Sequence, residues 1–576
     1  MLSSSRAVER PQSPYRDTRT KGGRSARVRL SPWSAIGHGG LPGYLVVCQS
    51  MGMYAMLRLT YRKAAAAACI SLSCFIFNAS ADGDNNGWHN WNHRYKYVFL
   101  FIGDGMASPQ IHATEAYLAQ LNKDDADPGS GEGDKAVLLN MSELPFVGSQ
   151  LSYANNRFIT GSAAAGTALS CGIKTDIGVI AQDPDDGKAC TTLAEAAKAK
   201  GMKVGIVSSV SIDHATPAVY YAHEPSRNNY EQIGEWLLES DFDYFGGGGF
   251  RVNKYTSPTY AGKSDEDRYA IVEQAAVANG FTFANTRPEF HALQPNRRWW
   301  RNPRAIAVNP YLDSSNAIPY ALNVEGSPND YPDSISLAEF TQKGIDLLDN
   351  PRGFFMMVEG GKIDWAAHAN DARAVIDDTI AFDDAVAVAM DFAETHPRTL
   401  IVVTGDHECG GMTLGFAGTA YDSAYEILAG QVLAYDDFDK ILEDYKESNS
   451  SDDVDEEMWG IILDNFGLDG DSLTNGIEDD LTDFQKVQLE EAFDQFIAGM
   501  NANSDEENNL LYGYYNPLSV TLTHILNNRA GLAFTSFSHT SVPVPVMSND
   551  PRFDGYYENT EVANRIAEAL GVDIGD

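Results

Sequence analysis

The chain has 576 residues, of which 43% are apolar and 21% charged, and a formal net charge of −38. Length and apolar content suit one large α/β domain carrying insertions, and exclude a disordered or fibrous chain. Such an acidic surface repels nucleic acid and anionic membrane, so neither is an expected partner. It also repels phosphate at long range, so any phosphate chemistry must rest on local cations.

Residues 1–50 are rich in Arg, Pro, Ser and Gly and show no apolar period. Arg58, Arg62 and Lys63 then precede an apolar run, Ala64–Phe77, and the small-x-small triplet Ala79-Ser80-Ala81. That order reads as a signal peptide over 56–81 with cleavage after Ala81, and so as a periplasmic or secreted protein. Translation is then expected to start at Met51, Met53 or Met56, leaving 1–55 as a start-site artefact or a disordered tail. Acylation at Cys74 is a weaker alternative, because Ser71-Leu72-Ser73 is a poor context for it. No later apolar run is long enough for a membrane span. Beyond the leader the cysteines are Cys171, Cys190 and Cys409. The odd number leaves at least one free thiol or an intermolecular bridge, and Cys171 with Cys190 can form a disulfide.

Continuous apolar runs at Val98–Ile102, Val204–Val207, Phe354–Val358 and Leu400–Val403 read as buried parallel strands. Helical patterns lie between them, as at Thr192–Lys200 and Ser336–Leu348. This alternation predicts a three-layer α/β fold, a mainly parallel central sheet with helices on both faces. Ligands of such sheets bind beyond the carboxyl ends of the strands. Polar residues stand there: Asp104 after the first run, Ser211, Asp213, His214 and Thr216 after the second, Glu359 and Asp364 after the third, Asp406 and His407 after the fourth. Residues 250–330 lack clear βα alternation and read as one insertion. A second, acidic one spans 418–512, with helical patterns at Tyr425–Tyr445 and Leu481–Met500. Its Asp469–Asp480 segment fails the calcium-loop spacing at Leu473 and reads as a solvated loop. The catalytic domain is expected over 82–576.

Several strand-end residues are of metal-ligand type. Asp364 and His368, four apart, share a helix face and suit zinc, with His539, beyond a candidate strand at Leu532–Phe537, as a third donor. Asp406 and His407 with Asp104 can serve a second metal. Glu359 and Thr216 offer only oxygen, which suits a hard ion such as magnesium. Taken singly, each has an ordinary explanation as a turn former, a helix cap or a surface hydrogen bond. Their conjunction does not. Ser162 precedes a predicted helix over Ala163–Ser170, where backbone N–H groups favour an anion. An ordinary N-cap is the alternative there. No His/Asp triad motif stands beside it, so a metal must activate its hydroxyl. Arg227 offers a fork for phosphate oxygens or, on its own motif, a solvated surface charge.

The segments Ile102-Gly103-Asp104-Gly105-Met106, Ser162-Ala163-Ala164-Ala165, His214-Ala215-Thr216-Pro217, Val358-Glu359-Gly360 with Asp364 and His368, Thr404-Gly405-Asp406-His407 and His539-Thr540 together resemble the alkaline phosphatase family. The resemblance runs from about Tyr95 to about Leu570. It implies hydrolysis of small phosphomonoesters through a phosphorylated Ser162, with Arg227 as phosphate clamp. It implies two zinc ions, held by Asp364, His368 and His539 and by Asp104, Asp406 and His407. It implies a magnesium held by Asp104, Thr216 and Glu359, and a homodimer. Three positions depart from the family pattern. Gly161 stands where an Asp commonly precedes the nucleophile, so Arg227 lacks a carboxylate to orient it. His214 stands where some members have Asp, so the third ion is either a magnesium whose water His214 holds or a second kind of zinc site. Trp365 follows Asp364 at a variable position and is a candidate lining of the phosphate pocket. A sulfatase would need a Cys-x-Pro-x-Arg segment, which is missing from the sequence. A phosphodiesterase relative would lack the third site. A phosphate-binding protein without activity would not need the full set of catalytic positions.

Overall fold

The computed structural model describes residues 95–121, 137–295, 304–324, 331–449, 454–468, 481–501 and 503–575. The expected tail, signal peptide and cleavage site, and the Asp469–Asp480 loop, lie outside the described residues.

The strands in chain order are Tyr97–Gly103 (β1), Phe146–Leu151 (β2), Lys203–Ser208 (β3), Tyr244–Gly247 (β4), Phe281–Ala284 (β5), Arg304–Val308 (β6), Phe354–Gly360 (β7), Thr399–Gly405 (β8), Glu408–Cys409 (β9), Thr413–Leu414 (β10), Leu532–Ala533 (β11), His539–Thr540 (β12), Val544–Ser548 (β13) and Gly555–Glu558 (β14). Among the described residues, ten of them form one sheet in the order β14-β2-β13-β8-β1-β7-β3-β4-β6-β5. Every neighbouring pair is parallel except those made by β13, which runs against β2 and β8.

The four apolar runs read from the sequence are the four central strands. They are apolar at consecutive positions because both sheet faces are covered. In β1, Phe99 and Phe101 pack into the core on one face, and Val98, Leu100 and Ile102 into the core on the other. The 24-residue helix Ala372–Thr395 covers the first face, against the helices Leu337–Leu348 and Lys362–His368. On the second face the helix Ser162–Cys171 packs against the helix Thr560–Leu570. The expected helices carry their own start signals: Thr192 and Ser336 each close a capping box with Glu195 and Glu339.

Three readings change. Residues 250–330 do alternate: the helix Asp265–Ala278 leads into β5, the helix Arg287–Ala292 follows, and β6 pairs with β4 and β5. The edge strand β5 and its neighbour β6 are short, and Thr282 in β5 is exposed, so no long apolar run marks them. The expected strand Leu532–Phe537 is extended only at Leu532–Ala533, where it pairs with β10. The Tyr425–Tyr445 pattern is two elements, a short 3₁₀ turn at Tyr425–Gly430 and a helix Tyr435–Ser448.

Register sets up the site. Gly103 of β1 lies opposite Gly360 of β7 and Gly405 of β8. All three strands therefore end at one level, and the next residues, including Asp104 and Asp406, emerge side by side. Gly105 turns with φ +72°, and a Cβ there would meet Asp364 Cα at 2.8 Å, so a side chain would push apart two of the converging segments.

Candidate active site

Each strand end delivers one part of a buried polar pocket. Asp104 follows β1. Glu359 is the penultimate residue of β7, and the short helix Lys362–His368 beyond it carries Asp364 and His368 on one face. Asp406 and His407 follow β8, and His539 lies in β12, paired with β9. Thr216 belongs to the turn of helix Ala215–Ala218 after β3. Ser162 is the first residue of the helix Ser162–Cys171, whose N-cap is Gly161 with no side-chain cap. Asp104, Thr216, Glu359, Asp406 and His407 are fully buried, and Ser162 and Asp364 nearly so.

Three groups of donors result. In the first, His368 Nδ1 donates to Phe537 O at 2.7 Å and His539 Nδ1 to Thr160 O at 2.9 Å. A carbonyl only accepts, so each ring keeps its proton on Nδ1 and turns a lone pair outward from Nε2. Those two Nε2 atoms are 3.0 Å apart, and Asp364 stands 3.4 Å from one and 3.5 Å from the other. Two lone pairs and a carboxylate so placed repel unless a cation or a proton lies among them, so the residues fit a metal with nitrogen and oxygen donors.

In the second, His407 Nε2 lies 3.3 Å from Asp104 Oδ1 and 3.3 Å from Asp406 Oδ2. Backbone N–H groups of Gly105 and His407 hold Asp406 Oδ1, leaving Oδ2 buried without a donor. Ser162 Oγ is 3.5 Å from Asp104 Oδ1 and 3.4 Å from His407 Nε2. This is no serine–histidine–carboxylate relay: His407 Nδ1 has no hydrogen-bond partner, so nothing orients the ring as a base. In the third, Thr216 Oγ1 lies 3.4 Å from Asp104 Oδ2, Glu359 accepts from Ser208 Oγ, and Glu359 Oε1 is buried without a partner. A carboxylate oxygen each of Asp104 and Glu359 and a ring nitrogen of His214 lie within 4.8 Å of one another.

Charge follows burial. Desolvation, with Asp406, Asp364 and Glu359 nearby, pushes Asp104 well above the usual carboxylate range. Burial lifts Glu359 to about 8 and Asp406 to about 7. Burial would raise Asp364 too, but the positive charge that His368, His539 and His407 take up in acid outweighs it and holds it low. Burial keeps His407, His214 and His539 below the ordinary histidine value, hence neutral. Such a carboxylate cluster carries its full charge at neutral pH only with cations among it.

Arg227 comes to the same pocket. Its Nη2 donates to His214 Nε2 at 3.0 Å, and its charge is felt at Asp104 and His539. The Trp365 ring stands edge-on to His214 with centroids 5.7 Å apart. Every site residue read from the sequence is thus gathered at one sheet end. Three further residues were not singled out. Ser208 ends β3 opposite Glu359. Cys409 lies against the first group. Lys362 is fully buried, with Nζ 2.7 Å from Asp313 and 3.6 Å from the Tyr320 ring centre. Lysine ordinarily reads as solvated, so only its position two before Asp364 hinted at it.

The sequence pattern of the alkaline phosphatase family matches residues 95–243 and 312–572. Alkaline phosphatase 4 of Bacillus subtilis is 29% identical over 484 residues, covering 82% of this chain and 88% of its own length. The alkaline phosphatase of Escherichia coli is 31% identical over 346 residues, 54% of this chain and 69% of the relative. A cold-active alkaline phosphatase from a psychrophilic Shewanella superposes with a TM-score of 0.63 at 25% identity, over 82% of this chain and 99% of that one.

Proposed function

The chain belongs to the alkaline phosphatase family and is a phosphomonoester hydrolase, and from that premise we propose that it works by two in-line displacements at phosphorus through a phosphoserine at Ser162. The observation that supports this most is the position of Ser162 Oγ, 3.5 Å from Asp104 and 3.4 Å from His407 inside a pocket of buried, incompletely partnered donors.

In this reading Asp364, His368 and His539 hold one zinc, and Asp104, Asp406 and His407 a second. Asp104, Thr216 and Glu359 would hold a third, magnesium-like ion, and His214, whose Nε2 accepts from Arg227 and whose proton therefore sits on Nδ1, would hold that ion's water. When bound, these cations supply Lewis-acid stabilisation of the attacking and leaving oxygens. The chain's residues do the rest. Thr216 donates to Asp104, which in turn accepts from Ser162 Oγ and helps fix its place. Oγ loses its proton to solvent and attacks phosphorus, the bond to the ester oxygen breaks on the opposite side, and that oxygen takes a proton from solvent and leaves as the alcohol. The N-terminus of helix Ser162–Cys171 offers N–H groups to the anion, and Arg227 grips its oxygens bidentately. Water then attacks phosphorus from the side the alcohol left and gives up a proton to solvent, the Oγ–P bond breaks, phosphate leaves, and Oγ takes back a proton from solvent.

Export to the periplasm or exterior is supported by the leader pattern and by the Cys171–Cys190 bridge, with Cα atoms 6.0 Å apart. Among the described residues, no helix is long and apolar enough to cross a membrane. A homodimer is proposed on family membership. Metal analysis of the purified protein, with hydrolysis rates for monoester, diester and sulfate ester substrates, tests the reading. Zinc with a strong monoester preference supports it; diester or sulfate preference overturns it.

A further inference from the structure

The first donor group contains a side chain that the ligand set above does not use. Cys409 is fully buried and is, among the described residues, the cysteine outside the disulfide. It lies directly opposite His539 in the antiparallel pair of β9 and β12. Opposed residues in such a pair project to one face with Cβ atoms about 4.5–5.5 Å apart. The thiol and the His539 ring therefore lean into the same pocket. The backbone fixes this: Cys409 N donates to Gly105 O at 3.2 Å, and Gly410 N to Ser538 O at 3.0 Å.

Cys409 Sγ, a carboxylate oxygen of Asp364, and one ring nitrogen each of His368 and His539 all lie within 4.8 Å of one another. Asp364, only 4% exposed, turns Oδ1 into this group with no nitrogen or oxygen donor bonded to it, and the Cys409 thiol hydrogen-bonds to the same carboxyl group. Bonds of about 2.0–2.3 Å to a tetrahedral zinc put its donors roughly 3.3–3.8 Å apart. A contraction of at most roughly 1 Å between any two of these donors would turn the group into a complete coordination sphere.

We propose that Cys409 is a fourth protein ligand of the first metal, making its donor set one carboxylate, two imidazoles and one thiolate. The proposal rests on the reading of Asp364, His368 and His539 as ligands. As the sulfur–metal bond forms, the S–H bond breaks, the electron pair stays on sulfur and the proton passes to solvent. A thiolate is softer than any oxygen donor, so the site favours zinc and cadmium over magnesium or manganese. Zinc expands readily to five-coordination, so four protein donors still admit a substrate oxygen.

The full chain, stripped with a chelator and refilled with cobalt alone, gives the test by absorption. The expected spectrum has visible ligand-field bands and a near-ultraviolet sulfur-to-cobalt charge-transfer band. Cys409→Ser should keep the first, lose the second, and bind cobalt at least about tenfold more weakly. Ligand-field bands without charge transfer in the unmodified chain overturn the thiolate ligand and leave the metal-site reading standing. No cobalt spectrum at all, with hydrolysis indifferent to chelators, overturns that reading and the proposal together. If Cys409→Ser does not fold, cadmium NMR of the unmodified chain decides. One resonance displaced strongly downfield supports a thiolate ligand; resonances confined to the nitrogen and oxygen range overturn it.

Discussion

Arg227 and His214 meet at 3.0 Å, Nη2 to Nε2. A guanidinium cannot accept a proton here, so Nε2 accepts and the proton of the neutral ring sits on Nδ1. Burial, then the charges of Arg227 and Arg251, keep that ring uncharged. A neutral imidazole therefore orients Arg227, the proposed phosphate clamp, where the resemblance to the family leads one to expect a carboxylate next to the nucleophile. Gly161 itself has room: its backbone is extended at φ −133°, and an added Cβ would find its nearest neighbour, His539 Cε1, at 4.0 Å. Gly161→Asp should fit and pair with Arg227, which a charge-assisted bond makes worth roughly 1 kcal/mol. Inhibition by inorganic phosphate should strengthen about three- to tenfold, and unchanged inhibition would show that a carboxylate at 161 does not tighten the grip of Arg227 on phosphate.

Removing the metals should make stability depend on pH in a direction opposite to acid denaturation. Glu359 and Asp406, at about 8 and about 7 in the folded chain, titrate near ~4 when unfolded. Between these limits the folded, metal-free chain binds more protons than the unfolded one, so its stability falls as pH rises, by about 1.4 kcal/mol per unit for each group still titrating. The buried histidines act only below about pH 6.5, where the unfolded rings charge. Thermal melts of chelated protein should therefore drop from pH 6.5 to 8.5, and zinc should abolish the drop. A chelated protein that gains stability over that range would contradict the charge assignment.

Lys362, itself fully buried, neutralises two partly buried carboxylates, Asp313 and Asp436. Burial opposes its charge, but Asp313 and Asp436 outweigh this and keep its affinity for the proton high. Lys362→Met leaves Asp313 and Asp436 uncompensated, a loss of about 3–5 kcal/mol for a buried pair broken on one side. Denaturant unfolding measures it. A change under about 1 kcal/mol would mean the pair is solvated.

How much of this was legible depends on range. The four central strands were readable because burial on both faces writes continuous apolar runs, and their polar ends followed from the parallel-sheet rule. The i,i+4 pair Asp364 and His368 was readable because it is local. Lys362 was not, since its partners Asp313 and Asp436 lie far off in sequence, one on either side. Nor was the Arg227–His214 contact, which depends on how the loop after β3 folds back on itself. The strands β5 and β6 escaped because four or five residues at a sheet edge carry too little pattern.

The Cys171–Cys190 bridge closes a separation of 19 residues and anchors the far end of the helix that begins at Ser162. Replacing both cysteines with Ser should cost about 3 kcal/mol of stability by freeing the unfolded chain. Ser162 is a full helix length away, so turnover per folded molecule should change less than about threefold. Loss of turnover in a stable double variant would show that the bridge positions the nucleophile.

The central claim is that phosphate passes through Ser162. The chain should be incubated with a phosphomonoester, quenched in acid, digested and mapped by mass spectrometry. Phosphate should appear on Ser162, and Ser162→Ala should carry none and turn over at least about 10³-fold more slowly. Phosphate on another residue, or turnover by Ser162→Ala within about tenfold of the unmodified chain, would contradict the account.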